Sequence, residues 1–230
     1  MLSAYEKFYQ AFLAYDRWKL YLGGVGITLQ ITVCSILIGT IIGIVFAFMK
    51  ISQWKVLGIH PLRVIASVYI DVIRGTPVMV QLFIMYYVIL TSPDTSKMVV
   101  SIIAFGINSG AYIAEIIRGG IAAVDQGQME AGRSLGLSGA QTMLFIILPQ
   151  ALKNALPTYA SEFIVLIKET AIVGTVGLED LTKIGSTVMS RTYEAIYPWL
   201  IVAGMYLILT LGLSRLFSYM ERRLARSDRR

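Results

Sequence analysis

The chain has 230 residues, 56% of them hydrophobic and 15% charged, with a mean hydropathy of +0.69. A soluble domain carries about 25% charged residues, so this composition excludes an ordinary water-soluble globule and indicates an integral membrane protein, read as all-α from the spans below. One cysteine, Cys34, and one histidine, His60, exclude an internal disulfide and a Cys/His metal cluster, and no metal site is expected.

Residues 1–20 set Tyr5, Phe8, Tyr9, Phe12 and Tyr15 among Lys7, Arg17 and Lys19, which predicts a helix lying at headgroup depth. A membrane helix needs about 20 mostly apolar residues. Charge-free runs at 20–49, 75–93, 98–114 and 195–214 place spans at about 22–49, 75–93, 98–117 and 195–216. Pro77 is expected to start or bend the second of these. The first run begins late and lacks a small-residue cleavage pattern, so a signal peptide is not expected. A further span is expected at 155–176. It contains Glu162, Lys168 and Glu169, and charges inside a membrane are costly and by default functional. The segment 177–194 reads as a connection with balanced charge. The reading is one transmembrane domain, 1–230, with about five spans.

Arg215, Arg222, Arg223, Arg226, Arg229 and Arg230 close the chain. A basic flank of this kind orients a span toward the cytoplasm and does not call for nucleic acid. Five spans then put the N-terminus outside and the C-terminus inside. Residues 50–63, with Lys50, Lys55 and Arg63, fall on the inner side as well.

The inner segment 125–157 is too polar to span. Residues 129–135 can form a short helix that Gly136 stops, and Ser138 can cap the next. Pro149 and Pro157 are expected to break the chain beyond Phe145, giving two short helices at an angle. Within this segment, Glu130, Ala131, Gly132, Gly136, Ile146, Leu148 and Pro149 fit the spacing EAA-x3-G-x9-I-x-LP, with Gly132 in place of the third alanine. The pattern resembles the signature loop of inner-membrane permease subunits of binding-protein-dependent ABC importers. Residues 73–77 (IRGTP) and 108–115 (NSGAYIAE) resemble the polar amino-acid branch of that family.

The resemblance implies a coupling loop at about 125–150, with Glu130, Ala131, Gly132, Arg133 and Gly136 meeting an ATPase. It implies two copies of that ATPase, which would bind ATP and Mg, and a second permease subunit, identical or homologous. It also implies an extracytoplasmic solute-binding protein and residence in a bacterial or archaeal cytoplasmic membrane. The chain has no G-x4-G-K-[ST] phosphate loop, so it is expected to be a transport subunit without ATPase activity or a cofactor of its own.

Asp71, Arg74, Glu115, Arg118, Glu162, Lys168 and Glu169 are the ionisable residues to weigh for substrate. Asp71, Glu115 and Glu162 fall at similar depth in the expected topology. Asp71 with Arg74, and Glu115 with Arg118, are spaced i,i+3 and can neutralise each other locally. Glu162 has no basic residue at i±3 or i±4, and an unpaired carboxylate in apolar surroundings is expensive. Glu162 is therefore expected to face the path and meet a cationic side chain. Glu115 and Asp71 are candidates for the ammonium groups, and Arg118 or Arg74 for the α-carboxylate. The roles of Lys168 and Glu169 stay open between a gate pair and a helix-end pair. The expected cargo is a basic amino acid (arginine, lysine or histidine). The alternatives are glutamine, an opine or another polar amino acid carried by the same importer class, and an ion-gradient-driven carrier.

Overall fold

The computed structural model describes residues 3–92 and 94–227, with side chains described through Arg223. The side chains of Arg226, Arg229 and Arg230, expected to orient the last span, lie outside that range. The helices are α1 (Ala4–Phe8), α2 (Arg17–Ile51), α3 (Pro61–Arg74), α4 (Val78–Ile84) and α5 (Lys97–Ala122), then α6 (Gln126–Ser134), α7 (Gly139–Thr142), α8 (Leu148–Glu169), α9 (Leu181–Thr192) and α10 (Ile196–Ser227). Among the described residues, three helices are long and apolar enough to cross a membrane: those ending in Ile51 and Ala122, and the one from Ile196 to Arg223. The pair Pro61–Arg74 and Val78–Ile89, bent by 104°, adds a fourth crossing if it counts as one span.

The N-terminal segment turns sharply at Tyr15 and Asp16, both with φ of 56°. Phe12 then packs on Tyr21, with ring centroids 5.9 Å apart, and Lys7 Nζ reaches Glu194 at 2.8 Å. The segment is thus tied to the approach to α10.

The centre of the molecule is the α2–α5 pair. Ser35, Gly39 and Gly43 recur every fourth residue on α2, and Gly106, Gly110 and Ala114 do so on α5. Small residues at this spacing let two backbones approach closely. A Cβ on Gly110 would stand 2.7 Å from Ile42 Cγ2 and 2.9 Å from the Tyr69 hydroxyl. Ser35 Oγ donates to the Ile102 carbonyl at 3.1 Å, so the interface is hydrogen-bonded as well as packed. Ile31, Phe105, Ile113 and Leu166 form the buried core around it.

The helix in the run 75–93 starts after Pro77, as the sequence suggested, and two other expectations are corrected. Val78–Ile89 reaches about 18 Å at ~1.5 Å per residue, shorter than a bilayer core of about 30 Å, and the chain bends sharply before it. Pro149 and Pro157 do not break the chain. Pro149 follows directly on a wide π turn at Met143–Ile147, and the backbone stays helical across the junction (Ile147 φ −79°, ψ −48°). Pro157 lies inside α8 beside exposed Asn154 and Thr158, where a freed carbonyl has access to water. The connection at 177–194 contains α9, whose Leu181, Ile184 and Val188 are buried against Tyr21 and Val202. Asp180 caps α9 by accepting from the backbone N–H groups of Thr182 (3.0 Å) and Lys183 (3.1 Å).

Candidate functional site

A cavity of about 490 Å³ opens between the end of α3, the C-terminal half of α5 and α8. Arg74, Tyr112, Glu115, Thr158, Ser161 and Glu162 are among its walls. Glu162 is buried, 9% exposed, and its Oε1 accepts from Ser109 Oγ at 3.1 Å. It has no ion pair among the described residues. Arg74 does not pair with Asp71 as the i,i+3 spacing suggested. It is the last residue of α3, and its guanidinium lies 5.3 Å from the centre of the Tyr112 ring on α5.

Glu115 is held twice. Arg118 on its own helix approaches at 2.8 Å, and Lys50 at the end of α2 at 3.3 Å. The i,i+3 pairing expected for Glu115 and Arg118 is therefore formed. Glu115 is also a wall between two cavities: it lines the one above and a second, of about 780 Å³, together with Lys50, Arg63 and Arg118. Arg118 lines only the second. Asp71 is exposed and lines neither. Lys168 and Glu169 end α8 outside both.

The bend that delivers Arg74 has a local cause and a distant anchor. Pro77 cannot donate to α3 and holds an extended backbone (φ −62°, ψ 134°). Thr76 Oγ1 turns back to the Val72 carbonyl at 2.9 Å. Gln81 Nε2 donates to the carbonyls of Ile73 (2.7 Å) and Thr76 (3.0 Å), so the frayed end of α3 is satisfied. Gln81 Oε1 accepts from Asn108 Nδ2 at 2.9 Å. Asn108 and Ser109 are neighbours on α5, so one segment positions both the bend and the Glu162 carboxylate. Sequence reasoning singled out neither Gln81 nor Ser109 as individuals. The signal available was Asn108-Ser109, two polar residues deep inside an apolar run.

The third feature is the corner between α6 and α7. Asp125 caps α6 through the Gly127 N–H at 2.7 Å. Gly136 then turns with φ of +86°, a left-handed conformation that glycine adopts without steric cost. Ser138 and Gln141 form a reciprocal capping box at the start of α7. Glu130, Ala131 and Arg133 lie on α6, with Glu130, Ala131 and Arg133 all exposed. Gly132 faces inward, where an added Cβ would meet Thr142 Cγ2 at 2.5 Å, so its smallness holds the corner shut. Leu135, 82% exposed at the tip, is an apolar knob that sequence reasoning did not single out.

Residues 39–226 match the family model described as binding-protein-dependent transport system inner membrane component. The chain is 39% identical over 209 residues to the arginine transport system permease protein ArtQ of Bacillus subtilis, covering 90% of this chain and 93% of that one. It is 35% identical over 209 residues to the glutamine transport system permease protein GlnP of Escherichia coli K12, covering 89% and 93%. Among solved structures, an amino acid ABC transporter crystallised with histidines superposes with a TM-score of 0.82 at 44% identity, covering 89% of this chain and 94% of that one. The MetNI methionine ABC transporter superposes at 0.74 with 22% identity, covering 94% and 99%, a likeness of fold alone.

Proposed function

This chain belongs to the family of binding-protein-dependent transport system inner membrane components, and from that premise we propose that it moves a basic amino acid inward through the cavity between α3, α5 and α8. It is a membrane permease subunit of an amino-acid ABC importer, not an enzyme. ATP hydrolysis belongs to a separate subunit, and family membership sets aside the gradient-driven alternative.

The observation that carries the substrate reading is the state of Glu162. It is a buried carboxylate on the cavity wall with a hydroxyl donor and no cation paired with it among the described residues. A buried charge of this kind is expensive until a partner arrives, and a guanidinium or ammonium from the substrate supplies one. Glu115 is already neutralised by Arg118 and Lys50, so it contributes shape and a weaker field. Arg74, resting on Tyr112, is the base that faces the same cavity and can take the α-carboxylate in a two-pronged contact. In this reading Arg118 acts through Glu115, and Asp71 remains a candidate only for a step outside the cavity. The proteins similar to this chain are named for both arginine and glutamine. Glutamine is therefore the second reading, with Glu162 accepting from the side-chain amide.

The exposed side of the α6–α7 corner, with Glu130, Ala131, Arg133 and Leu135, is the surface proposed to enter the ATPase subunit on the cytoplasmic face. Gly132 and Gly136 fix its shape. Two ATPase copies, a second permease chain and an external binding protein complete the assembly. Vesicles containing the full assembly test the substrate reading by competition of labelled arginine uptake with each amino acid in turn. Inhibition by lysine or histidine at lower concentration than by glutamine supports a basic substrate. Stronger inhibition by glutamine favours the second reading.

A further inference from the structure

The second cavity, of about 780 Å³, shares the Glu115 wall with the first but takes no substrate in the transport reading. It opens where the end of α2, the first turn of α3 and the last turns of α5 meet, and Lys50, Gln53, Arg63, Glu115, Arg118 and Gln126 are on its walls. Three cations face one anion there. Glu115 takes Arg118 at 2.8 Å and Lys50 at 3.3 Å, while Arg63 is exposed and has no ion pair among the described residues. Two positive charges are left uncompensated. The Arg118 side chain remains 41% exposed even in its pair, so donors are still presented to the cavity.

The position matters as much as the charge. Both α2 and α5 are apolar helices long enough to cross a membrane, and the cavity lies at their ends. Such a place falls at headgroup depth, where basic pockets between helices hold lipid phosphates. Guanidinium groups match phosphate oxygens in fixed two-pronged geometry, the ammonium adds a point charge, and the carboxamides of Gln53 and Gln126 can donate to ester or hydroxyl oxygens.

We propose that this cavity binds the phosphate of an anionic phospholipid headgroup, with Arg63, Lys50 and Arg118 as its cationic partners. The proposal rests on the membrane location of the chain and is independent of which amino acid is carried. It has a consequence for the neighbouring cavity. A phosphate that competes for Lys50 and Arg118 loosens their hold on Glu115, the wall the two cavities share. Headgroup occupancy therefore strengthens the negative field that Glu115 adds beside Glu162.

A free phosphate ion carries the same chemistry, so the test separates the two sources. The chain, purified in detergent with its ATPase partner, is titrated with phosphatidylglycerol, with phosphatidylcholine and with inorganic phosphate, and bound lipid is read by native mass spectrometry. Phosphatidylglycerol should be retained in preference to phosphatidylcholine. Arg63→Ala should weaken its retention about fivefold, and adding Lys50→Gln about fivefold more, the effect of roughly one surface cation each. Arg63→Lys should keep most of the binding, and the exposed position of Arg63 makes both of its variants expected to fold with an unchanged thermal midpoint. Equal retention of the two lipids, or wild-type retention by the doubly substituted chain, overturns the proposal. Displacement of the lipid by millimolar inorganic phosphate assigns the cavity to a free anion and overturns it as well.

Discussion

The Asn108 side-chain amide donates to the Gln81 carboxamide oxygen at 2.9 Å, and this bond fastens the bend after Arg74 to the helix that carries Ser109 and Glu115. Through it, Arg74, proposed to meet the substrate carboxylate, and Ser109, which donates to Glu162, are held by one polar junction inside an apolar bundle.

Gln81→Leu removes that junction. It strips partners from the carbonyls of Ile73 and Thr76 and from the Asn108 amide, at a cost of about 1–3 kcal/mol for half-buried groups left unpaired. The thermal midpoint of the detergent-purified chain should fall, and uptake should fall with it. An unchanged midpoint would mean that the bend is held by Pro77 and packing alone.

Packing of α2 on α5 gives a paired prediction. Gly110→Val, on α5, forces a branched side chain against Ile42 and the Tyr69 hydroxyl and should cost about 1–3 kcal/mol, as overpacked cores do. Gly26→Ala, on α2 with open space at its Cβ, should be neutral or stabilise by up to about 1 kcal/mol through helix propensity. Melting the two variants side by side checks both. Equal behaviour would contradict the close-approach account.

The α6–α7 corner separates shape from contact. Gly136→Val must adopt a left-handed backbone that a β-branched residue strongly disfavours, so the corner should distort and coupling should fail. Leu135→Asp changes only an exposed tip and should leave stability within about 0.5 kcal/mol. It should still weaken co-purification of the ATPase subunit and lower substrate-stimulated ATP hydrolysis. A fully coupled Leu135→Asp complex would remove the tip from the docking surface.

The N-terminal segment should detach in acid. The hydrogen bond from Lys7, together with its charge, holds the Glu194 carboxyl below the usual carboxylate range. A lowered carboxyl value in the folded chain contributes stability above the ordinary glutamate range of about 4.3, and that contribution is lost as pH falls through the lowered value. Spin labels on the exposed Tyr5 and Tyr193 positions should give a narrow distance distribution at pH 6 that broadens toward pH 3. In Glu194→Gln it should be broad at both. A narrow distribution in Glu194→Gln at pH 6 would show that Phe12 packing on Tyr21 suffices.

The parts of this structure that are legible in the sequence are those governed by local chemistry. Charge-free runs locate α2, α5 and α10. Gly136 and Ser138 announce the corner, and Pro77 announces a bend. The rest is set by neighbours distant in sequence. Arg74 meets Tyr112 on another helix in preference to Asp71 three residues away, because α3 ends at Arg74 and its side chain reaches across to α5. The amphipathic helix α9 is hidden by Lys183 and Arg191, which look like loop charges until Leu181, Ile184 and Val188 are seen to share a buried face. The continuity of α8 through Pro157 depends on which side of the helix is exposed, and one chain's sequence does not reveal that. At the site, the lone carboxylate of Glu162 is readable from the absence of a basic residue one turn away. Its Ser109 partner, 53 positions earlier, is not.

The central claim, that Glu162 selects a cationic side chain, is tested most directly by Glu162→Gln in vesicles containing the full assembly. Initial uptake of labelled arginine and labelled glutamine is measured at equal concentrations. Neutralising a buried carboxylate that pairs with a guanidinium should lower arginine uptake relative to glutamine by at least about tenfold, the equivalent of one charge-assisted hydrogen bond. An assembled complex whose arginine-to-glutamine ratio matches the wild type would contradict the account.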